Sequence, residues 1–368
     1  MTAAGSERPA PEGKADMTRK IQVGKVTVGG GAPVVIQSMC NTPANDSGAA
    51  LEQIERLRAL GCQLIRCALP NPAAVPAFRE ICAKSPLPVI ADIHFDCRLA
   101  MAAVDCGAAG IRVNPGNIHN PDGIREVARA AAAEDVAVRV GVNMGSLSPR
   151  VQARLGRTAA AMVESACEFL RPFEDAGCRN LKVSLKSSDL RTMLEACRRF
   201  HQLSDWPQHI GLTEAGTASA GIVKSSIAIG SLLLEGIGDT IRVSLTAEPE
   251  EEIRAACRIL EALNLRPGRP QLISCPTCGR TRIDLISLAR NVEETVDRML
   301  AQGKRITLHR IAVMGCEVNG PGEAGDADLG IAGGNGRGVI FRQGKIVATC
   351  PEAELLPRFV SELERFCE

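Results

Sequence analysis

The chain has 368 residues, 45% of them apolar, a formal net charge of +1 and only 2% aromatic residues, with one tryptophan and no tyrosine. That length and apolar fraction suit two domains, or one large barrel with an appendage, around an aliphatic core. The balanced charge gives no field that would draw the chain to nucleic acid or a membrane surface, no apolar run is long enough to cross a bilayer, and no tyrosine is present to act as acid, base or stacking platform.

Residues 1–18 are rich in Ala, Pro, Gly and charge, a composition that predicts disorder. They have no apolar signal core and carry Glu7, Glu12 and Asp16, which argues against an export or transit peptide and for the cytoplasm. Beyond them, short apolar runs alternate with helical patterns. The runs are 34–39, 64–69, 88–94, 110–116, 136–143, 180–186, 209–216 and 240–245, and amphipathic stretches such as 50–61, 122–134 and 248–264 lie between them. Eight strand-then-helix units predict an α/β fold, a (βα)8 TIM-type barrel over 19–266. The near-regular units, ending near residue 264, favour a closed barrel over a doubly wound open sheet. The longest gap, 144–179, predicts an extra loop and a helix start. LRPGRP at 265–270 reads as a linker, and 267–368 follows a different grammar. It offers CPTCGR, a helix over 284–300, a strand over 306–315, a Gly/Asn/Pro turn, a hairpin around 338–349 and a helix near 352–366, together a small α+β domain.

Five of the eight runs repeat apolar–basic–apolar, centred on Arg66, Arg112, Arg139, Lys182 and Arg242, with Lys186 four residues past Lys182. A barrel interior is normally filled with aliphatic layers, and a buried charge needs an opposite partner. Asp92, Glu214 and Asp239 are candidate partners but are fewer than the cations. The excess positive charge at the strand ends suits a phosphate or diphosphate, which guanidinium groups bind bidentately. The alternative for each basic residue is a side chain that faces the helices and snorkels to water. Asn41, His94, Asn114, Asn143 and Ser244 add polar groups after the strands. Glu214, in LTEAGTA, is the best-placed barrel carboxylate for proton transfer, with a structural ion pair as the other reading. Asp92 and His94, in ADIHFD, are read as substrate-positioning groups, although a lone histidine is as readily structural.

Of the 15 cysteines, most sit in helix-like apolar patterns and read as buried thiols. Cys275, Cys278 and Cys316 break that pattern. Cys275-Pro-Thr-Cys278 opens a domain, and Cys316 stands in MGCEVNGPGE directly after an apolar strand, where Gly-rich backbone amides can approach cluster sulfurs. Three thiolates point to an iron–sulfur cluster, with Glu323 and Cys350 as rival fourth ligands. A carboxylate exchanges more readily on a soft iron, which suits an enzyme whose substrate must reach the metal. Zinc is disfavoured because Cys316 has no close Cys or His companion, and a redox dithiol because Cys275 lacks a βαβ context.

Taken in order, QSMCNT (37–42), ADIHFD (91–96), NPGNI (114–118), TEAG (213–216), EGIGDTIRVSL (235–245), CPTCGR (275–280) and NGPGE (319–323) resemble the 4-hydroxy-3-methylbut-2-enyl diphosphate synthase family of the methylerythritol phosphate route to isoprenoids. The resemblance runs from about residue 19 into the C-terminal domain, and such an ordered set is highly specific. It implies the bacterial two-domain form: a TIM-type barrel and a reductase-like α+β domain carrying a [4Fe–4S] cluster. It implies reductive ring opening and dehydroxylation of 2-C-methyl-D-erythritol 2,4-cyclodiphosphate, with flavodoxin or ferredoxin as electron donor. It also implies homodimers in which the cluster domain of one subunit caps the barrel of the other. By motif position, Cys275, Cys278, Cys316 and Glu323 would hold the cluster. Arg66, Arg112, Arg139, Lys186, Arg242 and Ser244 would hold the diphosphate, with Glu214 as the acid–base or positioning carboxylate. Departures are few: the family often has Thr where Cys40 stands. A second enzyme class stays open on the residues alone, a non-redox pterin-type barrel transferase with a structural zinc domain. A third is a non-enzymatic cluster-based sensor, which leaves the barrel cations unexplained.

Overall fold

The computed structural model describes the chain from residue 18 onward, apart from 94–95, 115, 117–119, 267–268, 317–323 and 335. The expected disordered tail lies outside the described residues but for Thr18. The chain divides into two compact units, the first ending at Leu265 and the second beginning at Arg266.

The first unit opens with an antiparallel hairpin, β1 (Ile21–Val23) and β2 (Val26–Val28), which the sequence reading passes over. Ile21, Val23 and Val28 are buried, and the Gln22 amide donates to Asn180 Oδ1 at 2.8 Å. Gly24 has φ +56° and lies so close to Pro88 and Ala109 that a Cβ would meet each at 3.2 Å. Pro88, Ala109 and Asn180 each precede a barrel strand, so the hairpin is a floor across the N-terminal end of the barrel.

The barrel follows in chain order. Its elements are β3 (Val35–Met39), α1 (Ser47–Ala59), β4 (Leu64–Ala68), α2 (Val75–Lys84), β5 (Val89–Asp92) and α3 (Cys97–Asp105). Then come β6 (Gly110–Val113), α4 (Pro121–Ala133), β7 (Ala137–Asn143), α5 (Pro149–Leu155), α6 (Ala159–Asp175) and β8 (Leu181–Lys186). α7 (Leu190–Leu203), β9 (His209–Ile210), α8 (Ala218–Leu234), β10 (Thr240–Ile241) and α9 (Pro249–Ala262) complete it. The eight strands run β8-β7-β6-β5-β4-β3-β10-β9, all parallel. A parallel bridge between Val183 and Gln208 brings β8 back beside β9 and closes the ring. This is the expected TIM-type barrel. Short polar residues start the helices soon after the strands: Asp46, Asp96, Asn120, Thr158 and Asp189 each accept a backbone amide of the first turn. The long gap after β7 holds two helices rather than one. The seventh run is strand for two residues only, because Gly211 (φ +154°) and Glu214 (φ +56°) turn the backbone away from the ladder.

The second unit is built on a five-stranded sheet. Its elements are β11 (Gln271–Ser274), α10 (Leu285–Ala301), β12 (Arg310–Met314), β13 (Leu329–Gly334), β14 (Arg337–Arg342), β15 (Lys345–Pro351) and α11 (Glu352–Glu364). The order is β11-β12-β13-β14-β15, parallel across the first three strands and antiparallel thereafter. Helices α10 and α11 bury Leu285, Val292, Val296, Leu355 and Phe359 in the same core as Ile311, Val313, Ile331 and Ile340 of the sheet. The sequence reading places neither β11 nor β13. β13 reads as loop because it is LGIAGG, yet Gly330 is required there: a Cβ would lie 2.2 Å from the Phe341 ring on β14. No helix of the described residues is long and apolar enough to cross a membrane.

Candidate active site

Side chains along a strand alternate between the barrel interior and the helices, and register partners on neighbouring strands face the same way. Met39 is the partner of Arg66, Asp92 of Arg112, Arg112 of Arg139, and Arg139 of Lys182. The recurring basic residue is therefore turned inward each time, and Arg112, Arg139 and Lys182 are buried. Snorkelling to water does not describe them.

Counter-charge is scarce. Asp92, 3% exposed, lies 3.5 Å from Arg112 Nη1 and 3.9 Å from Arg66 Nε. Glu252, in the first turn of α9, approaches Arg242 Nη2 at 3.4 Å and accepts the Leu245 amide at 2.9 Å. Sequence reasoning did not single out Glu252. Its only signal was the acidic opening of the last barrel helix, EPEEEI, in which Glu248 and Glu251 are exposed and Glu250 pairs with Arg56. Asp239 accepts from Thr18 Oγ1 and from the Gln208 amide. Glu214 is exposed at the rim and makes no ion pair among the described residues.

The remaining guanidinium capacity goes to poor acceptors or to none. Arg66 Nη2 donates to the Met39 thioether at 2.8 Å, and Arg242 Nη1 stands 3.7 Å from the same sulfur. A thioether is a weak acceptor, so Met39 holds a position that an oxyanion would fill better. Arg139 Nε and Nη1 and Arg242 Nε have no hydrogen-bond partner among the described residues. Burial pushes Arg66 down to about 10 against the pull of Asp92. Burial and then the neighbouring Arg139 and Arg242 hold Lys186 well below the ordinary lysine value. Two glycines leave room beside these cations. A Cβ at Gly141 would meet Arg112 Nε at 3.1 Å and Ser184 Oγ at 3.2 Å, and one at Gly211 would meet the Arg242 carbonyl at 2.2 Å and Lys186 Nζ at 3.4 Å.

Asn114 and Asn143 are tied together at the rim: Asn114 Nδ2 and the Asn143 amide both donate to Ser146 Oγ, at 2.9 and 3.1 Å. Asn114 Oδ1 is left without a partner among the described residues. Ser244 is half-buried just beyond β10. Asn41 is held by Gln53, whose amide donates to its Oδ1 at 2.6 Å. His94 lies outside the described residues.

In the second unit, Cys275 directly follows β11 and Cys316 comes two residues after β12, the adjacent parallel strand. Cys275 Sγ accepts the Gly315 amide at 3.2 Å. Cys278 is exposed, and the Arg280 backbone amide, with its side chain, holds the thiol below its ordinary value. Cys316 is buried. Amide donors aimed at sulfur and a thiol poised to ionise are the surroundings that a thiolate-held cluster needs, and the donor set fits one. Among the described residues no three His, Cys, Asp or Glu side chains are gathered as a metal-chelating group, and Glu323 lies outside them. Cys350 pairs with Gly338 on β14, which puts it three strand spacings, roughly 14 Å, across the sheet from the Cys316 end of β12.

The GcpE TIM-barrel domain family matches residues 18–257, and the GcpE protein C-terminal domain family matches residues 271–365. The chain belongs to the GcpE family. Two relatives show high identity along nearly the whole chain. A Parafrankia sp. (strain EAN1pec) protein described as 4-hydroxy-3-methylbut-2-en-1-yl diphosphate synthase (flavodoxin) is 48% identical over 98% of this chain and 93% of its own. A Geobacter sulfurreducens protein of the same description is 49% identical over 95% of this chain and 97% of its own. Among solved structures, a Yersinia pestis dihydropteroate synthase aligns with 67% of this chain and 98% of its own at 14% identity and a TM-score of 0.47, a likeness that bears on neither activity nor ligand.

Proposed function

We propose that this GcpE-family chain is a cytoplasmic oxidoreductase that converts 2-C-methyl-D-erythritol 2,4-cyclodiphosphate to 4-hydroxy-3-methylbut-2-enyl diphosphate, drawing two electrons from flavodoxin. Family membership and the description of relatives at 48–49% identity support the reaction and the donor. The observation in the fold that carries the reading is the ring of inward cations, Arg66, Arg112, Arg139, Lys186 and Arg242, against which Asp92 and Glu252 stand as carboxylate partners. A site so over-supplied with guanidinium donors is stabilised by a diphosphate that brings oxygens to all of them at once.

In this reading Asp92 orients Arg66 and Arg112, and Glu252 orients Arg242, so the donors are preorganised before the ligand arrives. Asn114, Asn143 and Ser244 contact the substrate at the rim. Glu214, on the strained turn after β9, delivers or accepts the proton as the ring opens at a carbon–oxygen bond and a hydroxyl leaves as water. Cys275, Cys278 and Cys316, with Glu323 as the exchangeable fourth ligand, hold a [4Fe–4S] cluster. When bound, that cluster would supply single electrons and a Lewis-acidic iron. The assembly that goes with this reading is a homodimer. The zinc-bearing pterin-type transferase gains no support from the family or its relatives.

The test is iron, sulfide and EPR analysis of anaerobically purified, reconstituted protein with and without the cyclodiphosphate. About four irons and four sulfides per chain, and a signal altered by the cyclodiphosphate, are expected. One zinc per chain without sulfide would sink the redox reading.

A further inference from the structure

Beside Arg139, the barrel interior carries a second set of polar side chains, Lys182, His209 and Gln37, that the proposed reaction does not use. Lys182 on β8, Arg139 on β7, His209 on β9 and Gln37 on β3 are all at most 2% exposed. Lys182 Nζ, Arg139 Nε and Nη1, His209 Nε2 and both side-chain amide atoms of Gln37 have no hydrogen-bond partner among the described residues. Lys182 lies two residues before Ser184 and four before Lys186 on the same inward face, so it sits deeper than the rim residues. Below it is the floor laid by β1 and β2, whose buried residues Ile21, Val23 and Val28 are apolar.

The groups around Lys182 leave it short of negative charge. Arg139 faces it from β7, and His209 is the titratable group on β9, its Nδ1 held 2.8 Å from Thr240 Oγ1. Asp239, at the turn into β10, is the carboxylate that favours the charged amine, but its oxygens already accept from Thr18 Oγ1 at 2.7 Å and the Gln208 amide at 2.9 Å. From β3 comes only the neutral Gln37. Helices α6 and α7 lie on the outer side of β8 and bury Phe173, Met193 and Phe200 there. An ammonium beside a guanidinium in a dry interior is costly, and losing its proton relieves the cost. In keeping with this, burial and then Arg139 push Lys182 down to about 7, with Asp239 opposing. A diphosphate docked on the arginines adds negative charge to the same interior and reverses the balance.

We propose that Lys182 is the proton acceptor of the barrel: it takes up one proton as the diphosphate docks, so that substrate binding and charging of the barrel floor are one coupled event. The inference rests on the diphosphate reading given above. The proton enters from solvent, goes to the Lys182 amine, and returns when product leaves, so no redox partner is involved. The cyclodiphosphate suits the test because each of its phosphorus atoms carries a single strongly acidic hydroxyl, and the ligand does not itself titrate near neutrality.

The experiment is calorimetric titration of the cluster-loaded enzyme with the cyclodiphosphate, anaerobically and without reductant, in HEPES and in Tris. At about pH 8 the difference between buffers should report close to one proton taken up per ligand, and Kd should rise about tenfold per unit of pH above 7. Lys182→Met should remove the buffer dependence and flatten the pH profile. Lys182→Arg, which keeps its charge at every pH, should do the same and serves if the methionine variant fails to fold. His209→Asn should leave the uptake in place. Binding with buffer-independent heat in the wild type, or uptake that survives in either Lys182 variant, overturns the inference. Absence of binding at every pH overturns the diphosphate reading beneath it.

Discussion

Asp92→Asn is the most informative single change to the barrel. The carboxylate is 3% exposed and stands between two guanidinium groups, at 3.5 Å from Arg112 and 3.9 Å from Arg66. Removing one partner of a buried ion pair costs about 3–5 kcal/mol, because the other charge stays buried without compensation. At these separations, longer than a charge-assisted hydrogen bond, we take the lower end, about 3 kcal/mol. A barrel of this size loses roughly 2–4 °C of melting temperature per kcal/mol, so the variant should melt roughly 6–12 °C lower. The same change makes the interior more positive by one charge, so an anion is held more tightly. Cyclodiphosphate should therefore stabilise the variant by more than it stabilises the wild type, for which a ligand at a hundred times its Kd gives about 2.7 kcal/mol, and so narrow the deficit. Thermal unfolding by circular dichroism, with and without the ligand, measures both effects. A variant that melts within about 1 °C of wild type, or a deficit that the ligand does not reduce, would refute Asp92 as the keystone counter-ion.

Three further outcomes follow from the same geometry. Glu214 holds φ +56°, a strained conformation for a residue with a Cβ. Glu214→Gln should keep the cluster and lower turnover at least a hundredfold, while Glu214→Gly should lower turnover equally yet gain about 0.5–1 kcal/mol of stability in denaturant titration. Cys275→Ser, Cys278→Ser, Cys316→Ser and Glu323→Ala should each reduce iron retained after anaerobic gel filtration, whereas Cys350→Ser should not; equal loss from Cys350→Ser would reopen the ligand set. Burial pushes Cys62, Cys82 and Cys197 up to about 12 from an ordinary 9.0. The unfolded chain releases those protons near pH 9 and the folded chain holds them to near 12, so stability is undiminished below pH 9 and falls above it. The slope should be about 1.4 kcal/mol per thiol per pH unit. Urea unfolding between roughly pH 8.5 and 10.5 should show it, with Cys197→Ala less steep by one thiol's share.

What the sequence made legible, and what it hid, follows from how local each signal is. The barrel strands announce themselves because aliphatic runs recur at regular intervals, and Arg66, Arg112, Arg139, Lys182 and Arg242 stand out because each interrupts such a run at its centre. Period-2 alternation then decides that all five share the inward face. Glu252 was hidden because nothing in EPEEEI separates the glutamate that turns inward from its neighbours; only the docking of α9 beside β3 does. Gln37 and His209 were hidden for a related reason, since a polar residue within a short apolar run looks like its solvent-facing position until the ring closes. β13 was lost to its glycines, of which Gly330 makes room for the Phe341 ring on the next strand and Gly333 for Ile283, contacts no local pattern encodes. The cysteine pattern singles out Cys275, Cys278 and Cys316 directly, while only strand order shows that Cys350 lies at the far side of the sheet from the ends of β11 and β12.

The hairpin of β1 and β2 makes the barrel a cul-de-sac. Gln22 fastened to Asn180 and Gly24 seated against Pro88 and Ala109 close the end opposite the cationic mouth. Any exchange of protons or solvent with Lys182, Arg139 and His209 must therefore pass through the mouth, and a ligand seated on the arginines is a stopper as well as a reactant. Exchange kinetics deep in the barrel are thereby governed by the dwell time of whatever occupies its entrance, and a chain shortened past Val28 would become a tube open at both ends.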